Sequence, residues 1–216
     1  MTNLLFDYDG TLHNSIKIYA PAFRTAYTYL VDQGFADSKE FTDQEISLWL
    51  GFTADDMWRS FFPNLPEEEK EKCSTMIGKE MISLINKGIA ELYPETVAVL
   101  QKLKNLGYNL IFLSNCKHAY MEAHIKQFRL DRFFSGFYCS EDYGFMPKHE
   151  IFESIKTIYS GDYIVIGDRF HDIEISEKHS LQSVGCLYGY GAYNELQHAT
   201  YRIDKLSELL LLLPNI

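Results

Sequence analysis

The sequence predicts an α/β protein with a doubly wound parallel sheet and an inserted all-helical region. In residues 1–13 and 91–216, short apolar runs alternate with helical patterns, which is typical of parallel strands buried between helices. Residues 14–90 show helical periodicity and turn residues but no strand pattern. We therefore expect a core domain of residues 1–13 and 91–216 and a helical cap domain of residues 14–90.

Composition narrows the class of protein. The 216 residues are 46% hydrophobic and 23% charged, as expected of a globular protein, and the formal net charge is -10. That charge disfavours a nucleic-acid polymer or an anionic membrane as partner. The longest apolar run, residues 209–213, is too short to span a bilayer. The cysteines form no CxxC pair and no signal-peptide pattern is visible, so we expect a cytoplasmic protein.

Helical patterns fill the predicted cap domain. The first strand, residues 4–6, runs into Asp7, and Gly10 breaks the extended chain. Helices are then expected over residues 16–31, 42–50, 54–62 and 67–87. Pro21 predicts a kink or a late start in the first helix. Thr42 with Glu45 predicts a capping box at the start of the second.

The predicted core domain alternates strands and helices to its end. Strands are expected over residues 110–113, 137–138, 163–166 and 183–187. Helices are expected over residues 94–106, 117–128, 148–159, from 171 to 178, and 205–213. Pro94 suits the first turn of its helix. Ligands of such sheets bind beyond the carboxyl ends of the strands, so the residues at those ends are candidate site residues.

Two aspartates stand at the end of the first strand. Alternate residues of extended chain point the same way, so Asp7 and Asp9 are expected to face one site. Carboxylates this close repel each other and favour a bound cation, for which Mg2+ with its preference for oxygen ligands is suited. One carboxylate could attack while the other moves a proton. The alternative is an acidic turn without chemistry.

A second strand end carries Ser114 and Asn115. The Ser114 hydroxyl could donate to a phosphoryl oxygen, and backbone N–H groups entering the next helix could hold an anion. Either residue could instead cap that helix, and the two interpretations are compatible.

The run DYDGTL, residues 7–12, resembles the first motif of the haloacid dehalogenase-like (HAD) superfamily, whose phosphatases read DxDGTL. The resemblance implies a Rossmann-like core, a helical cap inserted after this motif that closes over the site, Asp7 as nucleophile and Asp9 as general acid/base. The dehalogenases lack the second aspartate, so Asp9 favours phosphoryl transfer over halide displacement. Gly10 is then expected to contact substrate.

Three further motifs extend the resemblance. LSN, residues 113–115, resembles the second motif, which implies that Ser114 and Asn115 bind phosphate. GDRFHD, residues 167–172, resembles the fourth motif, GDxxxD, which implies that Asp168 coordinates Mg2+ and that Asp172 acts through water or orients the site. Asp172 could also simply favour the start of its helix. Residues 187–204 resemble the phosphoglycolate phosphatase-like branch.

The third motif departs from the family pattern. Related phosphatases read KPxPxxF where this chain reads MPKHEIF, residues 146–152, so an ungapped alignment puts Met146 at the lysine position. Lys148 stands two residues later. The resemblance implies that a lysine here offsets the negative charge of the nucleophile and the phosphate, and we assign this role to Lys148. The alternative is a lysine that faces solvent at the start of its helix. Arg169 replaces a residue that is often small, and it could face substrate, an acidic partner or solvent.

These observations predict a Mg2+-dependent phosphatase of a small phosphorylated metabolite, which acts through an aspartyl-phosphate. Asp7, the Asp9 carbonyl and Asp168 are expected to hold the ion, with Asp172 nearby. One alternative is a phosphomutase of the same superfamily. The other is a non-catalytic phosphate-binding regulatory protein, supported by the displaced lysine and Arg169. The sequence does not indicate the substrate or the oligomeric state.

Overall fold

The predicted fold class is confirmed. The computed structural model describes residues 2–213, and these form one parallel six-stranded sheet. Its order is β3-β2-β1-β4-β5-β6. The strands are β1 Thr2–Phe6, β2 Asn109–Ser114, β3 Phe134–Cys139, β4 Asp162–Gly167, β5 Gln182–Cys186 and β6 Tyr201–Ile203.

Helices connect the strands and build a separate layer after β1. The helices are α1 Ile16–Asp32, α2 Asp43–Ser47, α3 Ala54–Phe61, α4 Glu67–Asn86, α5 Thr96–Asn105, α6 His118–Phe128, α7 Lys148–Ile158, α8 Phe170–His179 and α9 Leu209–Leu212. None of the helices within residues 2–213 is long and apolar enough to cross a membrane.

The structure confirms the predicted start of one helix and corrects that of another. α1 begins at Ile16 with Pro21 inside it, so the proline does not delay the helix. α5 begins at Thr96 instead of Pro94, because Glu95 adopts a left-handed φ of 65° that the helix cannot continue through. The capping box of Thr42 and Glu45 at α2 is confirmed.

The end of the chain also differs from the prediction. β6 was not predicted, because a three-residue strand with Arg202 at its centre is too short to show alternation. The closing helix predicted over residues 205–213 is a 3-10 turn, Leu206–Glu208, followed by the short α9. Residues 214–216 lie outside the described part.

Alternating side chains of the strands divide the core between the two faces of the sheet. Leu4 and Phe6 of β1 pack into one cluster, and Leu5 packs into the other with Ile111 and Val165. A third cluster is built from α1 to α4 and centres on Phe23 and Trp58. This separate cluster is consistent with a cap domain of residues 14–90, a boundary that remains a prediction.

The sheet order sets the position of the candidate site. β1 pairs with β2 on one side and with β4 on the other. The chain therefore reverses its winding direction at β1, and a crevice opens at the carboxyl ends of these three strands. Asp7, Ser114 and Asp168 stand at those ends.

A buried amide pair at the opposite end of the sheet supports the fold. Asn109 Nδ2 donates to Asn3 Oδ1 at 2.8 Å, and Asn3 Nδ2 donates to the carbonyl of Ser160 at 3.2 Å. Both side chains are buried. Asparagine is a poor strand former, so its presence here depends on these bonds.

Replacing Asn109 with alanine should lower the free energy of unfolding by about 1–3 kcal/mol, because Asn3 would keep a buried oxygen without its donor. Denaturant unfolding measures this change. Asn105→Ala, on the exposed end of α5, is the control and should change stability far less. Equal effects of the two substitutions would contradict the role of the amide pair.

Candidate functional site

Asp7 is the first residue after β1. Its backbone N–H donates to the carbonyl of Ile166 in β4 at 2.9 Å, which fixes it at the strand end. The side chain is 5% exposed, and Oδ1 lies 2.5 Å from Lys148 Nζ. Burial raises the pKa of Asp7 well above its usual value and Asp172 raises it further, whereas Lys148 lowers it. The charged form of Asp7 therefore depends on a nearby cation.

Lys148 lies inside the site and not in solvent. It is the first residue of α7 and is 4% exposed, and its Nζ also contacts Asp172 Oδ1 at 2.7 Å. Burial alone would lower the pKa of Lys148, but the charges and hydrogen bonds of Asp172 and Asp7 raise it above its usual value. These two carboxylates stabilise a cation at a helix start, where the helix dipole disfavours it. The solvated alternative is wrong.

Asp168 and Asp172 enter from the β4–α8 junction. Asp168 is fully buried, and its Oδ2 accepts from the backbone N–H of Tyr190 at 2.7 Å. Burial and the charge of Asp172 raise the pKa of Asp168 to about 7. Asp172 lies in the first turn of α8, and its Oδ2 accepts from the N–H of Arg169 at 3.1 Å. Asp172 thus both favours the helix start and reaches the site.

Carboxylate oxygens of Asp7, Asp168 and Asp172 all lie within 4.8 Å of one another. Lys148 supplies one positive charge to these three buried acids. Burial raises the pKa values of Asp7 and Asp168, and the charge of Asp172 raises both further. A set of hard oxygen donors with excess negative charge fits Mg2+, and Asp7, Asp168 and Asp172 are the residues that could hold it. The Asp9 carboxylate lies outside this cluster.

Gly10 lets the backbone pass close to Asp168. Its φ is 90°, a left-handed conformation that side chains rarely adopt, and a Cβ at this position would collide with the Asp168 carboxylate. This packing explains why glycine is needed here. The predicted contact of Gly10 with substrate stays a prediction.

Asp9 is held apart from the acidic cluster by three polar side chains. Its Oδ1 lies 2.9 Å from His13 Nδ1 and accepts from Ser15 Oγ at 2.5 Å and from Tyr120 OH at 2.7 Å. Burial alone would raise the pKa of Asp9, but the hydrogen bond and charge of His13 lower it below its usual value. The pKa of Asp7 is thus raised and that of Asp9 is lowered, although only one residue separates them in the sequence.

The sequence analysis missed the three partners of Asp9. His13 and Ser15 follow the first motif closely, and a search for polar residues just beyond it would have found them. Tyr120 lies on α6, and no spacing in the sequence connects it to Asp9.

Ser114 and Asn115 lie at the end of β2, as predicted. Ser114 is buried beside the cavity, while Asn115 Nδ2 donates to the carbonyl of Gly51 at 3.2 Å. Asn115 thus connects the sheet to the loop between α2 and α3. The sequence did not predict this contact.

Arg169 faces an acidic partner and the same loop, not solvent. Its Nε donates to Glu195 Oε2 at 3.0 Å and its Nη1 to the carbonyl of Leu50 at 2.5 Å. The guanidinium carbon lies 4.7 Å from the centre of the Phe52 ring. Arg169 is 5% exposed. It therefore fastens the loop of residues 48–53 to the core.

Replacing Arg169 with methionine should loosen that loop, because the charged hydrogen bonds to Leu50 and Glu195 are lost. We expect amide hydrogen exchange in residues 48–53 to become about tenfold faster or more. Arg59→Met, at a largely exposed position on α3, is the matched control. Exchange rates in this loop that are equal in both variants would show that Arg169 does not fasten it.

A cavity of about 310 Å³ lies between the helical layer and the sheet. Asp7, Asp9, Ser114 and Asn115 line it from the sheet side. Trp49, Phe52 and residues of α3 and α4 line it from the other side. Asp7 and Asp9, two of the residues predicted as catalytic, thus open into a cleft that can hold a small ligand.

A model of the haloacid dehalogenase-like hydrolase family matches residues 4–186. Pyrophosphatase PpaX of Bacillus anthracis is 22% identical over 100% of this chain and 98% of its own length. A crystal structure described as a predicted phosphatase from Clostridium acetobutylicum has a TM-score of 0.85, with 21% identity over 100% of this chain and 99% of that one. A crystal structure described as a predicted phosphoglycolate phosphatase from Haemophilus somnus has a TM-score of 0.80, with 22% identity over 97% of this chain and 96% of that one.

Proposed function

Since the chain belongs to the haloacid dehalogenase-like hydrolase family, we propose that it is a phosphatase that removes the phosphoryl group from a small phosphorylated metabolite. The observation that carries the proposal is the pairing of buried Asp7 with Lys148 while Asp9 is held separately at the same cavity. The relatives described as phosphatases and as a pyrophosphatase support the same reaction class.

The reaction would proceed in two displacements. In the first, a carboxylate oxygen of Asp7 forms a bond to phosphorus while the bond from phosphorus to the substrate oxygen breaks, and protonated Asp9 gives its proton to the leaving oxygen. In the second, Asp9 removes a proton from water, the water oxygen attacks phosphorus, and inorganic phosphate leaves Asp7. Lys148 and Ser114 would stabilise charge on the phosphoryl oxygens.

The environment of Asp9 suits the second displacement. His13, Ser15 and Tyr120 stabilise its ionised form, which is the form that accepts a proton from water. The first displacement needs the protonated form. The negative charge of a phosphoryl group nearby would favour protonation of Asp9 before the ester bond breaks.

Mg2+ bound by Asp7 and Asp168, with Asp172 nearby, would supply positive charge that offsets the charge of the phosphoryl group. We propose this ion because the site holds more buried negative charge than Lys148 balances. The prediction that the Asp9 carbonyl also binds the ion is part of the same proposal.

Phosphate release from a panel of phosphate esters, pyrophosphate and phosphoglycolate tests the proposal. We expect release with Mg2+ and none above background in excess chelator. Isomerised sugar phosphate without net release of phosphate would instead indicate a phosphomutase. The contact of Lys148 with Asp7 and the pairing of Arg169 with Glu195 argue against the non-catalytic alternative.

Mg2+ should raise the melting temperature more at pH 7.5 than at pH 5. The raised pKa values of Asp7 and Asp168, the latter about 7, mean that ionising these acids costs stability as the pH rises from about 4 towards 7. A bound cation offsets this cost only when the acids are ionised. Thermal unfolding with and without Mg2+ at both pH values measures the effect, and Asp168→Asn should abolish most of the difference. A stabilisation independent of pH would contradict the proposed ligands.

A further inference from the structure

The cavity beside Asp7 has an apolar wall where the leaving group of a substrate would lie. In the proposed reaction the phosphoryl group would lie at the sheet side, where Asp7, Asp9 and Ser114 line the cavity. The opposite wall is formed by aromatic and aliphatic side chains from the helical layer: Tyr19, Trp49, Phe52, Met57, Ile77 and Met81. Met57 and Ile77 are buried, so apolar side chains form the inner part of this wall as well as its exposed edge.

Apart from Lys148, whose charge is paired with Asp7 and Asp172, positive charge around the cavity lies at its rim. Lys79 and Lys117 are the lysines that line it in the described part of the chain, and both are exposed. Arg169 lies behind the loop, where its charge is paired with Glu195 and its Nη1 bonds the carbonyl of Leu50. A second phosphate or a carboxylate placed against Met57 and Ile77 would lose its water without gaining a charged partner.

We propose that the substrate is a phosphate monoester whose leaving group is apolar and carries no second anionic group. The inference rests on the proposed phosphatase function and specifies its substrate class. An aromatic ring or an aliphatic chain gains by leaving water for this wall, whereas a glycolate or a phosphate leaving group does not. Ser74 also lines the cavity; its hydroxyl oxygen accepts from Trp58 Nε1, and its O–H can donate to a neutral polar group on such a substrate.

Comparison of kcat/KM for benzyl phosphate, phosphoglycolate and pyrophosphate tests the inference. Benzyl phosphate and phosphoglycolate are both esters of primary alcohols, so their difference reports mainly on the leaving-group pocket. We expect benzyl phosphate to be preferred over each anionic substrate by about tenfold or more. A preference for phosphoglycolate or pyrophosphate would overturn the inference and leave the proposed function intact. Absence of phosphate release from every substrate would overturn both.

A charge placed in the wall provides a second test. Ile82 lies on α4 and lines the cavity, whereas Asn86 lies on the same helix, is exposed and does not line it. We expect Ile82→Arg to shift the ratio of kcat/KM values about tenfold towards phosphoglycolate, and Asn86→Arg to leave it unchanged. The same ratio in both variants would overturn the assignment of this wall to the leaving group.

Discussion

Replacing Asp7 with asparagine is expected to lower the rate of phosphate release by roughly 10³- to 10⁶-fold. An amide oxygen is a far weaker nucleophile than a carboxylate, and the substitution changes the shape of the side chain very little. Phosphate release from the best ester of the panel, at saturating Mg2+, measures the loss. Asp131→Asn, at an exposed position after α6, is the matched control and should retain full activity.

The same substitution should not unfold the protein. The raised pKa of Asp7 means that its ionised form costs stability in the absence of metal, so a neutral asparagine should keep or raise the melting temperature at neutral pH. A variant that is inactive and at least as stable as the parent separates catalysis from folding. Activity of Asp7→Asn near that of Asp131→Asn would remove Asp7 from the role of nucleophile.

Replacing Lys148 with methionine is expected to reduce phosphate release by about 10²- to 10³-fold, because a charge that faces the phosphoryl group is lost. The change also leaves Asp7 and Asp172 without their buried cation. We therefore expect the metal-free protein to lose about 3–5 kcal/mol of unfolding free energy. Activity assays and denaturant unfolding measure the two effects.

Lys156→Met is the matched control for Lys148→Met. Lys156 lies on the same helix, α7, and its side chain is 42% exposed in a surface pair with Glu153. Surface pairs contribute about 0–1 kcal/mol, so this variant should stay active and stable. If Lys148→Met behaved like Lys156→Met, the assignment of the displaced lysine to the site would be wrong.

Asp7, Ser114 and Asp168 could be placed from the sequence because each directly follows or ends a buried strand. The register of a parallel sheet brings such positions to one edge, so the order of the strands is enough to bring them together. The apolar runs were also sufficient to predict the fold class. The roles assigned to these residues remain proposals.

The contact between Lys148 and Asp7 could not be predicted from the sequence. The sequence put Lys148 two residues from the family position, and only the three-dimensional position of α7 shows that its Nζ lies 2.5 Å from Asp7. The predicted start of α7 at residue 148 agrees with the structure, but which side chain at a helix start reaches a site depends on how the helix packs on the sheet.

Contacts that join distant parts of the chain were not predictable. Tyr120 reaches Asp9 across 111 positions, and Arg169 reaches Leu50 across 119. Such bonds depend on how α6 and the helical layer pack against the sheet, which local patterns do not specify. β6 was missed for a different reason, since a three-residue edge strand carries too little periodicity.

Isolation of the phosphorylated enzyme during turnover tests the central claim most directly. Acid quenching with a substrate that carries radioactive phosphate, followed by peptide mapping, would locate the phosphoryl group. We predict that the label is on Asp7 and that it disappears once substrate is exhausted. Label on a different residue, or phosphate release by Asp7→Asn at the rate of the parent protein, would contradict the account.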